Sequence, residues 1–352
     1  MSECQVLSNE KSDFSAMLSQ SAFDEKIPLK ATFELTARCN FNCEMCYVHL
    51  NDSQINKIGR ELTNDEWLEI ARQAKDAGTL YLTLTGGEVF ARPHFRELYE
   101  ELTKMGFLIQ ILSNGYLIDE SVIEWLKENP PYILRFTLYG MSNQTYEKVC
   151  GIRDGFDRVM RAIDLVEAAG IPLYLVSTVV KENEQDLPEM YAFARERNIV
   201  FQHSISVVSP VRGAESDAAA HRINITERDK SEWGEVKKRK RLFAEYHAPF
   251  DVCGSYRRAF WVTWNGNMQL CAFMEYPTVS LIGITDLTAA WDKLLSELDR
   301  IKFPEKCGKC KYEAFCQKCP GMLAAECGSP EKTSDAFCAK AKKLYEIYSE
   351  EL

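Results

Sequence analysis

Three thiols stand together early in the sequence, in Cys39-Asn-Phe-Asn-Cys43-Glu-Met-Cys46. They follow an extended stretch, Leu29 to Thr36, in which Ala31, Phe33 and Leu35 alternate with polar neighbours as in a strand. Thiolates select iron–sulfur clusters and zinc over harder metals. Three cysteines on one tight loop hold three irons of a cubane and leave the fourth iron without a protein ligand. A zinc site one ligand short, or three unrelated buried thiols, is the plainer alternative.

A second group of thiols lies near the other end. It runs Cys253, then Gly266-x4-Cys271, then Cys307-x2-Cys310-x5-Cys316-x2-Cys319, then Cys338. Two metal centres are the economical reading. Paired C-x2-C units are also zinc-ribbon spacing, so zinc stays open on spacing alone. The stretch from Tyr256 to Cys271 reads as a hairpin. Phe260, Val262 and Trp264 alternate before the Asn265-Gly266 turn, and Met268 and Leu270 alternate after it. Leu281-Ile282-Gly283 and a helix around Trp291 follow. Of the remaining cysteines, Cys4 reads as a free thiol and Cys150 as a small buried apolar side chain.

Composition limits what these thiols do. The chain has 352 residues, 46% of them apolar, with thirteen cysteines and a net charge of −10. Two or three domains fit that length. An acidic balance argues against a broad nucleic-acid or anionic-membrane footprint. Lys237 to Arg241 is a short basic run that reads as the solvated face of a helix. The N-terminus lacks a signal-peptide pattern, and no apolar run approaches a membrane span. The expected compartment is the cytoplasm, where clustered cysteines read as metal ligands rather than disulfides.

The elements that position the thiols alternate between two periods. Thr63-x-x-Glu66 is a capping box, and it opens a helix with Trp67, Ile70, Ala71, Ala74 and Ala77 on one stripe, closed by Gly78. Then come a strand over Leu80 to Thr85, a helix over Phe95 to Met105 and a strand over Phe107 to Leu112. A helix over Asp119 to Glu128 leads to a strand over Tyr132 to Leu138. Further repeats are Phe156 to Ala169 with Leu173 to Val180, and Asp186 to Asn198 with Val200 to Val208. Such alternation implies a parallel sheet with helices outside it. Periodicity alone does not separate an open sheet from a barrel. Residues 209–226 suggest a loop or lid, and a charged helix is expected from Arg228 to Tyr246. The end of the chain, Asp335 to Leu352, reads as helix.

Strand ends are where ligands bind in such sheets. Gly86-Gly87-Glu88 ends one strand. Its glycines permit close backbone approach, and Glu88 can accept from an ammonium group; a plain turn is the alternative. Ser113-Asn114-Gly115 ends the next strand and Phe136-Thr137-Leu138-Tyr139-Gly140 the one after. The five histidines, His49, His94, His203, His221 and His247, show no metal spacing; His203, on the last strand, is the candidate to face a cavity.

With the thiol loop, these strand ends resemble the radical SAM superfamily. That resemblance implies a partial (β/α)6 barrel and a [4Fe–4S] cluster held by Cys39, Cys43 and Cys46, with S-adenosylmethionine (SAM) on its open iron. It implies electron transfer from the cluster, cleavage of a carbon–sulfur bond and release of a 5′-deoxyadenosyl radical. Met45 stands where the family has an apolar residue near the adenine. Gly86-Gly87-Glu88 resembles the motif that binds the SAM amino group, with Val89 where proline is usual. Asn114 lies in the counterpart of a TNG turn. Thr137 keeps the hydroxyl that contacts the ribose. Many relatives place an arginine for the SAM carboxylate just before the counterpart of Gly151 to Phe156. Cys150 takes that place here, and Arg153 is the candidate substitute.

The later cysteines resemble the SPASM domain, which carries two auxiliary [4Fe–4S] clusters. By resemblance Cys253, Cys271 and Cys319 hold an inner cluster, and Cys307, Cys310, Cys316 and Cys338 an outer one. The family has three residues, not two, between the last pair of the quartet. The inner cluster then has three ligands, and Cys327 or a substrate thiol is the candidate fourth. The implied organisation is an N-terminal arm (1–28), a barrel (29–226), a linker helix (227–250), a SPASM domain (251–340) and a helix end (341–352).

The implied activity is oxidative modification of a ribosomally made peptide by a thioether, carbon–carbon or ether crosslink. The runner-up is an anaerobic sulfatase maturase that forms formylglycine. A reading of another class is a non-enzymatic metal-cluster regulator or carrier. Implied partners are a peptide or protein substrate and an electron donor such as flavodoxin or ferredoxin. The residues before the barrel are too few for a leader-recognition domain of about eighty residues, so leader binding would need a separate leader-binding protein or another surface.

Overall fold

Six strands form the parallel part of the sheet: β1 Lys30–Glu34, β2 Tyr81–Thr85, β3 Leu108–Ser113, β4 Ile133–Thr137, β5 Leu173–Thr178 and β6 Val200–Ser204. They belong to a computed structural model that describes residues 3–224, 248–251, 253–316 and 319–348. Helices α3 Asn64–Asp76, α4 Phe95–Lys104, α5 Glu120–Glu128, α7 Gly155–Ala168 and α8 Leu187–Glu196 lie between them, and all five were expected from periodicity. Helices α1 Glu3–Asp24, α2 Asp52–Ile58 and α6 Asn143–Cys150 were not. The strands run β6-β5-β4-β3-β2-β1, each parallel to the next, as strands joined by helical crossovers do.

One face of each strand packs under the helices. Phe33, Leu82, Leu84, Ile109, Ile111, Leu134, Phe136 and Leu175 are buried in one continuous core with Trp67, Leu98, Leu126 and Ile163. The opposite face is mixed: Thr32, Thr83 and Gln110 line a cavity of about 380 Å³ at the N-terminal strand ends. Ser15, Leu18 and Ser19 of α1 cover that cavity. Arg258 ties the helix down by donating to Ser19 Oγ at 2.9 Å.

The hairpin expected at Asn265-Gly266 is present, as β7 Ala259–Val262 and β8 Asn267–Gln269, paired antiparallel. Its place in the sheet was not expected. β7 pairs in parallel with β1, Lys30 opposite Ala259 and Phe33 opposite Val262. A short β9, Val279–Ser280, completes a nine-stranded sheet. The cysteine-rich segment therefore grows out of the barrel's own sheet.

Three helices follow: α9 Leu287–Leu298, α10 Pro320–Cys327 and α11 Asp335–Tyr348. α11 closes over Phe315 with Ala341 and Leu344. The expected strand over Val200 to Val208 stops at Ser204, which frees Ser206 to Val208 to line a cavity. The expected helix Arg228 to Tyr246, the basic run Lys237 to Arg241, residues 349–352 and the Cys4 side chain lie outside the described residues. Among the described residues no helix is long and apolar enough to cross a membrane.

Candidate functional site

The thiol loop is seated on the ends of β1 and β2. Leu35 N donates to Thr85 O at 2.7 Å, Gly87 N to Thr36 O at 2.8 Å and Glu88 N to Arg38 O at 2.9 Å. The two chains close like a zip until only glycine fits between them. A Cβ on Gly86 would meet Thr36 O at 2.4 Å, and one on Gly87 would meet Arg38 O at 2.2 Å. On the other side, the last turn of α6 lends carbonyls to the loop: Asn42 N donates to Cys150 O and Glu44 N to Val149 O, each at 3.1 Å. Helix-end carbonyls need partners, and here the loop supplies them.

The thiols are anchored by backbone donors. Phe41 N donates to Cys39 Sγ and His49 N to Cys46 Sγ, both at 3.3 Å. Burial and the neighbouring Cys43 thiol push Cys46 up to about 11, and burial holds Cys39 higher still. Cys43 is held well above the ordinary thiol range by a hydrogen bond to the fully buried Cys150 thiol, with burial adding to it. Glu88 and the sibling thiols add to the rise at Cys39, and Cys43 and Glu34 to that at Cys46. Three half-buried thiols on one cavity wall are a donor set for a cationic group, which ionises them on binding. They suit a thiophilic iron cluster.

All three thiols face a cavity of about 310 Å³ at the C-terminal mouth of the strands. Met45, Gly86, Gly87, Asn114 and Thr137, each expected from the sequence, line it. Asn114 Nδ2 donates to Asn40 Oδ1 at 2.9 Å and reaches Cys39 Sγ at 3.7 Å, which ties the end of β3 to the thiol loop. Tyr139, from the strand-end stretch quoted above, also lines the cavity, as do Thr178, Ser206 and Phe273, which went unread. Each sits at or just past a strand end or after Cys271, and only its place in the fold distinguishes it.

Two expected contacts are placed elsewhere. The Glu88 carboxylate does not line the cavity; it accepts from Asn114 N at 2.7 Å and from Phe90 N and Ser113 Oγ at 3.0 Å. It is fully buried, and burial raises it to about 7 against the pull of those donors. Arg153 turns to solvent, with 87% of its side chain exposed, and pairs with Glu147 at 2.9 Å. His203 meets the Tyr191 hydroxyl of α8 at 2.8 Å, on the helix side of β6. Among the described residues, no side chain lining the cavity is an amine, a guanidinium or a carboxylate.

Among the later thiols, Cys271, Cys319 and Cys253 share one neighbourhood. A Cβ on Gly321 would lie 2.8 Å from Cys271 Sγ and 4.0 Å from Cys319 Sγ. Burial pushes Cys271 up to about 12, with the Cys319 and Cys253 thiols adding to it. Cys307 lies in one short 3-10 turn, Glu305–Lys309, with Cys310 just after it, and Cys316 follows a second, Glu313–Phe315, on which α11 packs Ala341 and Leu344. The thiol that acts on Cys327 is Cys338; burial is the larger cause of its raised position. Among the described residues no three Cys, His, Asp or Glu side chains converge closely enough for a single metal ion. A cubane asks for no such convergence, because its thiolates bind different irons.

Residues 33–194 match the family model of the radical SAM superfamily. Among curated proteins, the AdoMet-dependent heme synthase of Methanosarcina barkeri (strain Fusaro / DSM 804) is 29% identical over 54% of this chain and 54% of that protein. The PqqA peptide cyclase of Gluconobacter oxydans (strain 621H) is 30% identical over 48% of this chain and 46% of that protein. The chain thus spans about half the length of these curated relatives. Among solved structures, Streptococcus suis SuiB bound to S-adenosylmethionine superposes with a TM-score of 0.67 at 18% identity, over 89% of this chain and 77% of that one. SuiB bound to its precursor peptide SuiA gives a TM-score of 0.66 at 19% identity, over 92% and 80%. At that identity the likeness is one of fold.

Proposed function

We propose that this chain, whose residues 33–194 match the family model of the radical SAM superfamily, cleaves SAM reductively and oxidatively crosslinks a ribosomally made peptide. That match implies a [4Fe–4S] cluster and SAM as cofactors. When bound, such a cluster supplies the electron that breaks a carbon–sulfur bond of SAM and yields a 5′-deoxyadenosyl radical. The observation that carries the proposal is the convergence of Cys39, Cys43 and Cys46 on one cavity wall, with Gly86, Gly87 and Asn114 beside them.

In this reading the chain's own residues bind and exclude. Cys39, Cys43 and Cys46 hold the cluster. Gly86 and Gly87 offer bare backbone to the SAM amino group, while Glu88 acts one step behind, fixing Ser113 and Asn114. Thr137 takes the ribose and Met45 the adenine. Phe41, Tyr139 and Phe273 wall the cavity and keep water from a reactive radical. Cys253, Cys271 and Cys319 hold an inner auxiliary cluster, and Cys307, Cys310, Cys316 and Cys338 an outer one. The grouping of Cys271 with Cys319 and Cys253 supports the first set.

A peptide substrate is supported by likeness to a peptide cyclase and to the fold of a protein solved with its precursor peptide. An electron donor of the flavodoxin or ferredoxin type and a separate leader-binding protein complete the proposed partners.

The test is anaerobic reconstitution followed by dithionite and SAM. About twelve irons, counted as three cubanes, and 5′-deoxyadenosine are expected, together with a loss of two hydrogens from a co-expressed neighbouring peptide. An aldehyde on a sulfatase-type peptide would favour formylglycine chemistry instead. Iron-loaded protein that yields no 5′-deoxyadenosine would overturn the radical reading. Turnover of an iron porphyrin with no change in any peptide would overturn the peptide reading.

A further inference from the structure

The parallel strands turn one face to the helices and the other into the barrel, towards the thiol cavity. On β4, Leu134 and Phe136 are buried under the helices, so Ile133, Arg135 and Thr137 share the inner face. Thr137 lines the thiol cavity. Arg135 lies two residues before it, about 7 Å along the strand. In register beside Arg135 are Leu112 of β3, which also lines that cavity, and Tyr174 of β5. This face is not filled. Leu112, Tyr174 and Val176 are half-buried, and Gln202 and Ser204 of β6 are exposed. The inner face is therefore open on the β6 side and continuous with the cavity.

Arg135 is held but not paired. Its guanidinium carbon lies 5.6 Å from the centre of the Tyr174 ring, and its Nε is buried with no hydrogen-bond partner. The carboxylate on this face, Glu34 of β1, is taken by Arg212 at 2.7 Å. Stacking on a ring uses the flat face of a guanidinium and leaves its N–H edge for a partner in the plane. That edge is a fixed fork of donors, and its matching partner is a carboxylate bound through both oxygens. A buried donor left unpaired carries a cost that such a ligand removes.

Resting on the reading that the substrate is a peptide, we propose that Arg135 recognises a carboxylate of that peptide, from an acidic side chain or from its C-terminus. A peptide entering from the β6 side meets Ser204, Gln202, Val176 and Tyr174 and then one fixed cation at the foot of the thiol cavity. Hydroxyls, an amide and apolar groups accept many sequences, whereas the cation accepts an anion. One acid therefore sets the register in which the peptide is presented to the cavity. A site built to pair a charged group rejects the analogue that lacks it, because the site's own donors are then left unpaired. Arg135 is thus a specificity residue, and no bond change passes through it. SAM also carries a carboxylate and is the competing source of the same chemistry.

The experiment uses anaerobically reconstituted full-length protein, dithionite, SAM and the co-expressed neighbouring peptide. Each acid of the peptide is changed to its amide in turn, and its C-terminus is amidated. One of these changes should lower kcat/KM about tenfold, chiefly through KM, a factor of ten being 1.4 kcal/mol. Arg135→Gln should convert the unchanged peptide as poorly and no longer tell it from that amide analogue. Arg135→Lys keeps the charge and should recover part of the discrimination, which general loosening of the barrel would not give. Undiminished discrimination in Arg135→Gln overturns the inference and leaves the peptide reading standing. Loss of SAM affinity in Arg135→Gln, with no peptide carboxylate mattering, assigns the fork to SAM and also overturns it. A second measurement needs neither variant nor peptide. Phenylglyoxal labels arginines, and propionate, but not propionamide at the same ionic strength, should slow labelling of Arg135 while exposed Arg153 labels as before, read by mass spectrometry of the digest. Equal labelling of Arg135 in the two overturns the inference. SAM turnover with no change in any peptide overturns the peptide reading, and the labelling then decides the carboxylate preference by itself.

Discussion

Gly87 lies so close to Arg38 that a single added carbon would come within 2.2 Å of the Arg38 carbonyl oxygen. That oxygen already accepts from Glu88 N, so it has little freedom to retreat. The glycine is thus set by the thiol loop's backbone as much as by any ligand. Gly87→Ala should cost about 1–3 kcal/mol, the usual range for forced overpacking, and should displace the loop. Iron retained at the first centre after anaerobic reconstitution, with a thermal melt beside it, measures both. Full retention with an unchanged melt would contradict this account.

Glu88 contributes through three hydrogen bonds that end on neighbouring segments. Glu88→Ala leaves Phe90 N, Asn114 N and Ser113 Oγ buried without their acceptor. Unpaired buried groups cost about 1–3 kcal/mol each, so folding should suffer before SAM binding is assayed. Glu88→Gln keeps an acceptor and should be the milder change. Chemical denaturation of the two variants gives the comparison; equal stability of wild type and Glu88→Ala would reject this role.

The start of α3 offers a pH test away from the thiols. Thr63 Oγ1 accepts from Glu66 N, and the Glu66 carboxylate accepts from Thr63 N at 2.8 Å, a complete capping box. The Arg60 guanidinium, with the cap's donors, holds Glu66 down to about 2. A depressed carboxylate contributes stability above its unfolded value of about 4.5, and that stability is lost as pH falls towards 2. Wild type should therefore lose melting temperature between those limits, and Glu66→Gln should lose less of it over the same window. Thr63→Ala should cost about 1 kcal/mol at neutral pH, as cap losses do. Parallel melts at pH 7, 4.5 and 3 show whether the two curves converge.

Much of this was legible because local rules coincide with the global fold. The capping box at Thr63, the stripe from Trp67 to Ala74 and the Asn265-Gly266 turn each act within a few residues, and each is found where expected. α2 was missed although Asn51 and Gln54 form a capping box of their own. It is short, and Ile55 is its buried residue, too little for a periodic signal. The pairing of β7 with β1 had no local mark at all, because a strand's partner is chosen by tertiary packing. The same holds at the site. Thiol spacing announced Cys39, Cys43 and Cys46, whereas Phe273 enters the cavity from a segment far along the chain. Arg153 was expected from a motif position, yet its side chain follows Glu147 at the surface instead.

Cys327 and Cys319 separate two versions of the inner auxiliary site. Cys319 shares the surroundings of Cys271 next to Gly321, whereas Cys327 responds to Cys338. Cys319→Ala should lose about four irons, one cubane of those proposed, and Cys327→Ala should keep the full complement of the inner site. Iron and sulfide assays on both variants decide it. Loss of the same signal from each would make Cys327 the fourth ligand of that centre.

The cavity beside the first thiols presents hydroxyls where a cation would be expected to meet the SAM carboxylate. Thr137, Thr178 and Ser206 lie on its wall, whereas Arg153 is solvent-exposed. Hydrogen bonds to a charged group are worth about 1.5–3 kcal/mol each, so neutral donors in a site with few competing waters suffice for a carboxylate. Thr178→Val preserves shape and removes one donor. It should weaken SAM binding by about tenfold or more, since 1.4 kcal/mol is a factor of ten. Arg153→Ala should leave SAM affinity unchanged. Equilibrium binding to the reconstituted protein under anaerobic conditions, without reductant so that no turnover occurs, reads both. A large loss with Arg153→Ala and none with Thr178→Val would return the carboxylate to the arginine, and would require the loop around Gly151 to close over the cavity when SAM binds.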